Sequence, residues 1–395
     1  MLTKGQTAKL LQVAPALFNQ KLAPVTWYRA RPVPLPGGGV LEPAREPQMF
    51  NVYRYPADLA AREAAQAAAE AAYAEKLRQQ QQQYASGAEI HALPGIFDYW
   101  ASRYVLPQIQ QAFGANSITE IYAKPLAVLA QTHARCRFLS IGSGDCSEEI
   151  KIAQHLLANG CSGFEIVGLE VADNLIAEGN AAIGRAGLDA FVKTQFFDVN
   201  RQAIDGPVHA YIAHHSLHHI VELERLFDLI ERTLTAEGHF VTCDMIGRNG
   251  HMRWPETLQR VEEIWTSLAE AKKFHWQFKE THHAFVNWDC TYEGFEGVRA
   301  QDILPLLLQR FSFAAFAACG GFVDPFVERG YGPNFSPDNA EDRAFIDRVA
   351  TENDALLEAG TIKPTMMFAD MVKKGPVETR VVGPRTPQHC VRIPG

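Results

Sequence analysis

Short apolar runs alternate with helical patterns through the middle of the chain. Runs ending with Phe138, Leu139 and Ile141, and others at 164–171, 191–197, 208–213 and 239–245, have the length and β-branched or aromatic content of strands. Between them, apolar residues recur at helical spacing over about 147–157, 173–186 and 221–234. Asn159-Gly160 and Gly187 stand where helix C-caps belong. Further on the pattern predicts a helix over 301–310, a strand over 311–318, a helix over 342–358 and a final strand over 365–372. Strands and helices alternating at this spacing predict an α/β fold, a parallel sheet with helices on both faces. Ligands of such sheets lie beyond the carboxyl ends of the strands. The polar residues Asp145, Glu170, Asp198, His214–His219 and Asp244 all fall at those ends, which predicts one common site.

The chain outside this pattern is less regular. Leu10, Leu11, Val13, Leu17 and Leu22 suggest short helices broken near Pro15, and 31–39 is rich in proline and glycine and is expected to be irregular. Asp58 is placed to cap a long Ala/Glu/Gln helix that reaches the 79–83 glutamine run and breaks at Ser86-Gly87. That helix reads as a solvated surface helix, with packing on a partner subunit in a homodimer as the sharper alternative. A further helix begins near Leu93, with Phe97, Trp100, Tyr104 and Val105 on one face. Four of the six tryptophans (Trp254, Trp265, Trp276, Trp288) crowd into 246–300, which predicts either a cover over a pocket or a small separate core. The expected organisation is a helical extension over 1–115, a main domain over 116–373 with this aromatic insertion, and an irregular tail over 374–395.

Charge and composition narrow the function. A net charge of -8 with no long Lys/Arg block argues against nucleic acid. No apolar run approaches membrane-spanning length, and the first residues lack a secretory apolar region. Seven scattered cysteines with no CxxC suit a reducing cytoplasm and argue against a disulfide scaffold or a structural zinc site.

The glycine turn Ser140-Ile-Gly142-Ser143-Gly144-Asp145 follows the first strand and opens a helix, so it is a candidate nucleotide cradle. A dinucleotide motif would need glycine where Ser147 stands. Asp145, Glu148 and Glu149 also crowd the helix N-terminus, where a pyrophosphate wants bare N–H groups. Like charges a few ångströms apart disfavour phosphate by roughly 1 kcal/mol or more. The same carboxylates suit a ligand with a cationic end, although acids in a first helical turn also serve simply to offset the dipole. Glu170 can accept both hydroxyls of a ribose, and Asp198 an adenine amino group.

With these residues the chain resembles the class I S-adenosylmethionine-dependent methyltransferases. The resemblance spans about 117–373. It rests on Phe138–Ser147, Gly168-Leu-Glu170, Phe197-Asp198, Ser216-Leu-His-His219 and Leu234-Thr-Ala-Glu-Gly-His-Phe240. It implies a Rossmann-like sheet of seven strands, the last antiparallel to the others, and S-adenosyl-L-methionine as cofactor. Ser140, Gly142, Ser143, Gly144, Asp145, Glu170, Val171, Asp198, Val199 and His214 are the cofactor residues it implies. Ser140 replaces the family's usual acid, and Cys146 its third glycine.

Methyl transfer requires an oriented nucleophile and, for a hydroxyl, a proton acceptor. Histidine is the natural base near neutral pH, so His218, His219 and His215 are the candidate catalytic residues. At least one histidine of this cluster is expected to serve structure instead, capping or packing the next helix. Four histidines could serve a metal, but no carboxylate partners stand out, so no metal is expected. Asp244, Arg248, His251, Trp254 and Tyr331 are the candidate substrate residues. Methylation of a hydroxyl, or an amine, on a small molecule or sugar is the expected activity. A nicotinamide oxidoreductase and a non-catalytic cofactor-binding module are the competing readings.

Overall fold

A computed structural model describes residues 33–34, 40–41, 59–85, 92–292 and 294–392. Seven strands form one sheet: β1 Cys136–Ile141, β2 Phe164–Glu170, β3 Val192–Phe196, β4 Val208–His214, β5 Leu234–Met245, β6 Phe311–Cys319 and β7 Met366–Lys373. Their order across the sheet is β6-β7-β5-β4-β1-β2-β3. The first five strands pair in parallel, and β7 runs antiparallel to both β5 and β6. The seven-stranded sheet with its reversed last strand is thus the one the sequence resemblance implies.

Alternation along the strands divides the core. On one face Phe138, Ile166, Ile212 and Val241 pack against helices α4 Ile118–Thr132 and α5 Ser147–Ala158, through Tyr122, Leu126, Ile152 and Leu156. On the other, Leu139, Ile141, Tyr211 and Phe240 meet Leu226, Phe227 and Ile230 of α7 Leu223–Thr233 and Leu304 and Leu307 of α9 Ala300–Arg310. The intervening α6 Asp173–Ala186 ends at left-handed Gly187, as its cap residue predicts. Each fully buried side chain of this size contributes roughly 1.5–3 kcal/mol, so the two apolar layers are what hold the strand ends in register.

The chain divides into two compact units, Met1–Tyr73 and Ala74–Gly395. In the first, Val33–Pro34, inside the segment 31–39 expected to be irregular, pairs with Val40–Leu41 just beyond it as a two-residue antiparallel ladder. The expected early helices, the Asp58 cap and the Ser86-Gly87 break lie outside the described residues. Helix α1 Leu59–Ala85 forms where predicted. Helix α2 Gly95–Trp100 continues through a π turn, Ala101–Val105, into α3 Leu106–Phe113. Ile96, Trp100 and Ile109 join the same core as the sheet, so residues 95–113 are part of the sheet unit rather than a detached extension. Helices α8 Pro255–Ser267 and α10 Ala340–Glu358 complete the second unit. No described helix is long and apolar enough to cross a membrane.

The tail is irregular as expected apart from one helical turn, but it is packed onto the sheet unit. Phe316 N–H donates to the Arg380 carbonyl at 2.9 Å, and Pro387–Cys390 forms a helical turn. Arg385 is 3% exposed, and its guanidinium reaches Gln108 Oε1 at 3.0 Å, the Ala318 carbonyl at 3.2 Å and Glu358 at 3.3 Å. Proline-rich sequence hides this, because the ordering comes from one buried cation rather than a periodic pattern. Arg385→Ala leaves the Gln108 and Ala318 oxygens buried without this donor, so it is expected to cost roughly 3 kcal/mol in urea unfolding. A loss below about 1 kcal/mol would show the tail to be dispensable.

Candidate active site

The candidate site lies at the carboxyl ends of β1–β5. Strand β1 leads into a turn at Gly142 (φ 62°) and Gly144 (φ 55°), positions whose left-handed backbone favours glycine. Gly142 N–H donates to the Leu169 carbonyl at 2.8 Å. Glu170, at the tip of β2, accepts from Gly144 N–H at 3.0 Å, Val171 N–H at 2.7 Å and Ala172 N–H at 3.0 Å, which locks the turn to the neighbouring strand. A Cβ on Gly144 would meet nothing within 4 Å, so that side of the turn is open. A Cβ on Gly142 would lie 2.7 Å from Ser216 Cβ, so its other side is packed against the histidine segment. Ser143 N–H donates to Leu169 O at 3.3 Å, and Asp145 accepts from Ser147 N–H at 3.0 Å. Asp198 and Val199 are buried at the end of β3, with Asp198 accepting from Asn200 N–H at 3.0 Å. The Val171 carbonyl accepts from Gln81 of α1 at 2.8 Å, so the end of that helix reaches the edge of the candidate site.

Ser140 takes part indirectly. Strand alternation turns it toward α5, where its hydroxyl donates to Glu149 Oε1 at 2.5 Å. Glu149 is 2% exposed, and its Oε2 has no hydrogen-bond partner. Burial, against the Ser140 bond, pushes its carboxyl up to about 7. Glu149 is therefore more than an acid offsetting a helix dipole.

The histidine segment is organised by Asp244. This carboxylate is fully buried at the end of β5. It accepts from the backbone N–H of Ser216 at 2.9 Å, Leu217 at 2.7 Å, His218 at 3.3 Å and Met245 at 2.8 Å, and from His218 Nδ1 at 2.6 Å. That bond sets the His218 tautomer and aims Nε2 at Glu296 Oε1, 3.4 Å away. Glu296 also receives His251 Nε2 at 2.6 Å, and its second oxygen is 3.7 Å from His219 Nδ1. The turns carrying His251 and Glu296 are joined by Gly250 N–H donating to the Gly297 carbonyl at 2.9 Å. A Cβ on Gly297 would sit 3.1 Å from Gly250 N, so the close approach depends on glycine.

Charge separates the two central histidines. Burial opposes a charge on His218, but the charges and hydrogen bonds of Asp244 and Glu296 outweigh it and raise its pKa to about 10. Burial and the neighbouring His218 charge lower His219 to about 4. At neutral pH His218 is an imidazolium and His219 a neutral ring. Burial opposes the charge on Glu296, yet the bonds from His218 and His251 hold it well below the usual carboxylate range. His214 Nδ1 lies 2.9 Å from the Tyr122 hydroxyl, and His215 is exposed beside Cys243 Sγ at 3.6 Å.

The substrate candidates divide. His251 joins the cluster. Asp244 serves as its buried anchor, with its carboxylate occupied by this chain rather than facing an acceptor. Arg248 donates to the Arg253 carbonyl at 3.4 Å and lies 5.9 Å from the Trp254 ring, which is itself buried under Arg392 at 4.6 Å. Tyr331 is buried among Trp265, His275 and Phe285, its hydroxyl 2.5 Å from His282 Nδ1, so its polar group is engaged inside the aromatic insertion. Trp254 and Trp265 are buried while Trp276 and Trp288 are 43% and 46% exposed, so the insertion is both a small core and an exposed aromatic surface. Glu296 is the residue that sequence reasoning missed. Its one local signal is an acid set in Gly294-Phe-Glu-Gly297, a pattern that suits a tight turn.

No family model and no curated protein matches the chain. Among solved structures it is similar to the StiE O-MT, at 12% identity and TM-score 0.35, over 64% of this chain and 75% of that one. It is similar at 14% identity and TM-score 0.35 to an O-methyltransferase from the trans-AT PKS multienzyme of Brevibacillus brevis, over 65% of this chain and 73% of that one. It is also similar at 12% identity and TM-score 0.34 to geranyl diphosphate C-methyltransferase from Streptomyces coelicolor A3(2), over 64% and 76%. Likeness this distant transfers neither substrate nor chemistry.

Glu149 makes the pH dependence of folding testable. The unfolded carboxyl releases its proton near its ordinary 4.5, while the folded one keeps it to about 7. Between those values the unfolded state binds fewer protons, so Glu149's contribution to stability falls as pH rises. Glu149→Gln does not titrate, so its stability relative to the native chain is expected to increase from pH 4.5 to 8, by about 3 kcal/mol at most. Urea unfolding of both proteins at the two ends of that range measures the gap; a pH-independent gap contradicts it.

Proposed function

We propose that this chain is an S-adenosylmethionine-dependent methyltransferase acting on a hydroxyl of a small molecule or sugar. The observation that carries the reading is the place of β7, antiparallel between β5 and β6 in a sheet whose glycine turn follows β1. A dinucleotide-binding sheet has a different order, 3-2-1-4-5-6, with no such insertion. The residues at the turn fit the cofactor. The open side of Gly144 leaves room beside the backbone, and the acids there oppose a pyrophosphate while matching a cationic end.

When bound, the cofactor supplies a methyl group activated on a sulfonium. Glu170 is placed to accept the ribose hydroxyls, and Asp198 an adenine amino group, with Val171 and Val199 at their sides. Asp145 faces the methionine end. The packing of Gly142 on Ser216 sets the histidine segment next to the turn, which orients an acceptor for in-line attack. His219 is the neutral ring able to take the acceptor's proton. The positive charge on His218 compensates the negative charge that develops on the acceptor oxygen, and Glu296 holds the His218 ring in place.

Calorimetry with S-adenosylhomocysteine and with NAD separates the readings. Micromolar binding of the first and none of the second is expected. Glu170→Ala is expected to weaken the first at least about tenfold, by loss of charge-assisted bonds. NAD binding with no affinity for S-adenosylhomocysteine would overturn the assignment. Once an acceptor is in hand, His219→Ala is expected to lower kcat by roughly a hundredfold or more. Full turnover in that variant would place proton removal elsewhere.

A further inference from the structure

We propose that His218 Nε2, His251 Nε2 and Glu296 Oε1 form a binding site for one divalent first-row transition ion, of which zinc and cobalt are suitable probes. The three ligand atoms lie within 4.8 Å of one another. Glu296 Oε1 is 2.6 Å from His251 Nε2 and 3.4 Å from His218 Nε2. Ligands about 2.0–2.2 Å from a common ion stand roughly 3–3.5 Å apart, so small side-chain shifts suffice, with the ion taking the place of the His218 Nε2 proton, which is released to solvent. Two imidazoles and one carboxylate suit zinc, cobalt or iron, whereas magnesium and calcium prefer all-oxygen sets.

The surroundings of the cluster are those of a built ligand set. A metal-bound histidine commonly donates its other N–H to a carboxylate that fixes the ring. Asp244 does this for His218 Nδ1 at 2.6 Å, and is itself held by four backbone N–H groups. His219 Nδ1, 3.7 Å from Glu296 Oε2, is buried with no hydrogen-bond partner, an orphaned polar atom facing the same cluster. The backbone that presents these rings is also special. Of the four non-glycine residues with positive φ among those described, His215 (φ 49°) and His251 (φ 55°) belong to this segment or its ligand set. Such conformations persist where the surroundings enforce them and gather at functional sites.

Three protein ligands leave at least one coordination position open. The Ser216–Gly142 contact puts the segment that carries His218 beside the glycine turn. Ion binding stands independently of the methyl-transfer reading. Its use rests on that reading: an acceptor oxygen in the open position would be oriented and polarised by the ion.

The test uses the full chain, stripped with a chelator and titrated calorimetrically with zinc, and with cobalt followed by visible absorption. One ion per chain is expected, at about 10 μM or tighter, with cobalt bands of a four- or five-coordinate nitrogen–oxygen site. Magnesium should not displace it. His251→Ala and Glu296→Ala should each weaken binding roughly a hundredfold. His283→Ala should not, because that histidine is exposed and paired with Glu270 away from the cluster. Thermal unfolding and S-adenosylhomocysteine binding of each variant report whether it is folded. No binding below about 0.1 mM in the native chain, or equal binding in His251→Ala and Glu296→Ala, overturns the proposal. Ion binding without affinity for S-adenosylhomocysteine upholds the ion site and strikes only the methyl-transfer reading.

Discussion

The buried carboxylate of Asp244 is the constraint on which the candidate site depends. It sits at the end of β5, in the middle of the sheet, where no water is at hand to solvate it. An anion there is tolerable only because five donors converge on it, four from the backbone and one from His218. All but the Met245 N–H come from Ser216, Leu217 and His218, consecutive residues of the segment after β4. The bonds that keep Asp244 ionised therefore also shape that segment, choose the His218 tautomer and point its free nitrogen toward Glu296.

The glycine turn is tied to this arrangement by contact rather than charge. Gly142 is pressed against Ser216, while Gly144 is bonded to Glu170 and open on its other side. One side of the turn thus carries the histidine segment and the other is open beside Glu170 and Asp145. A ligand cradled on the open face would have one end next to the histidine cluster. Glu149 adds a further carboxyl beneath the turn, reaching Ser140 from the first turn of α5. Position 140 carries a serine rather than an acid, but a carboxyl stands against that residue in space.

The aromatic insertion plays two parts that its composition blends. Trp265, Phe285 and Tyr331 pack together around His282, forming a scaffold in which the Tyr331 hydroxyl is already engaged. The same insertion supplies Glu296, carried on a turn that Gly250 and Gly297 bring close to His251. Its contribution to the cluster is thus an acid rather than an aromatic wall.

Most strand and helix identities were legible in the sequence because period-2 and period-3.6 patterns are local, and each apolar side chain records which face it must bury; helix α4, with Pro125 inside it, was not read. The glycine turn, Glu170, Asp198 and the four histidines were legible for a related reason: in a parallel sheet, strand ends fall on one edge, so position along a strand already implies position in space. What only the tertiary structure decided was partnership. Glu296 lies 77 residues beyond His219, Asp244 looks from sequence like any polar residue after a strand, and Arg385 sits in a proline-rich tail. Nothing in the local pattern of such residues encodes a distant partner. Their roles follow from desolvation, which makes a lone buried charge costly and so selects, from the whole folded chain, the groups that neutralise it.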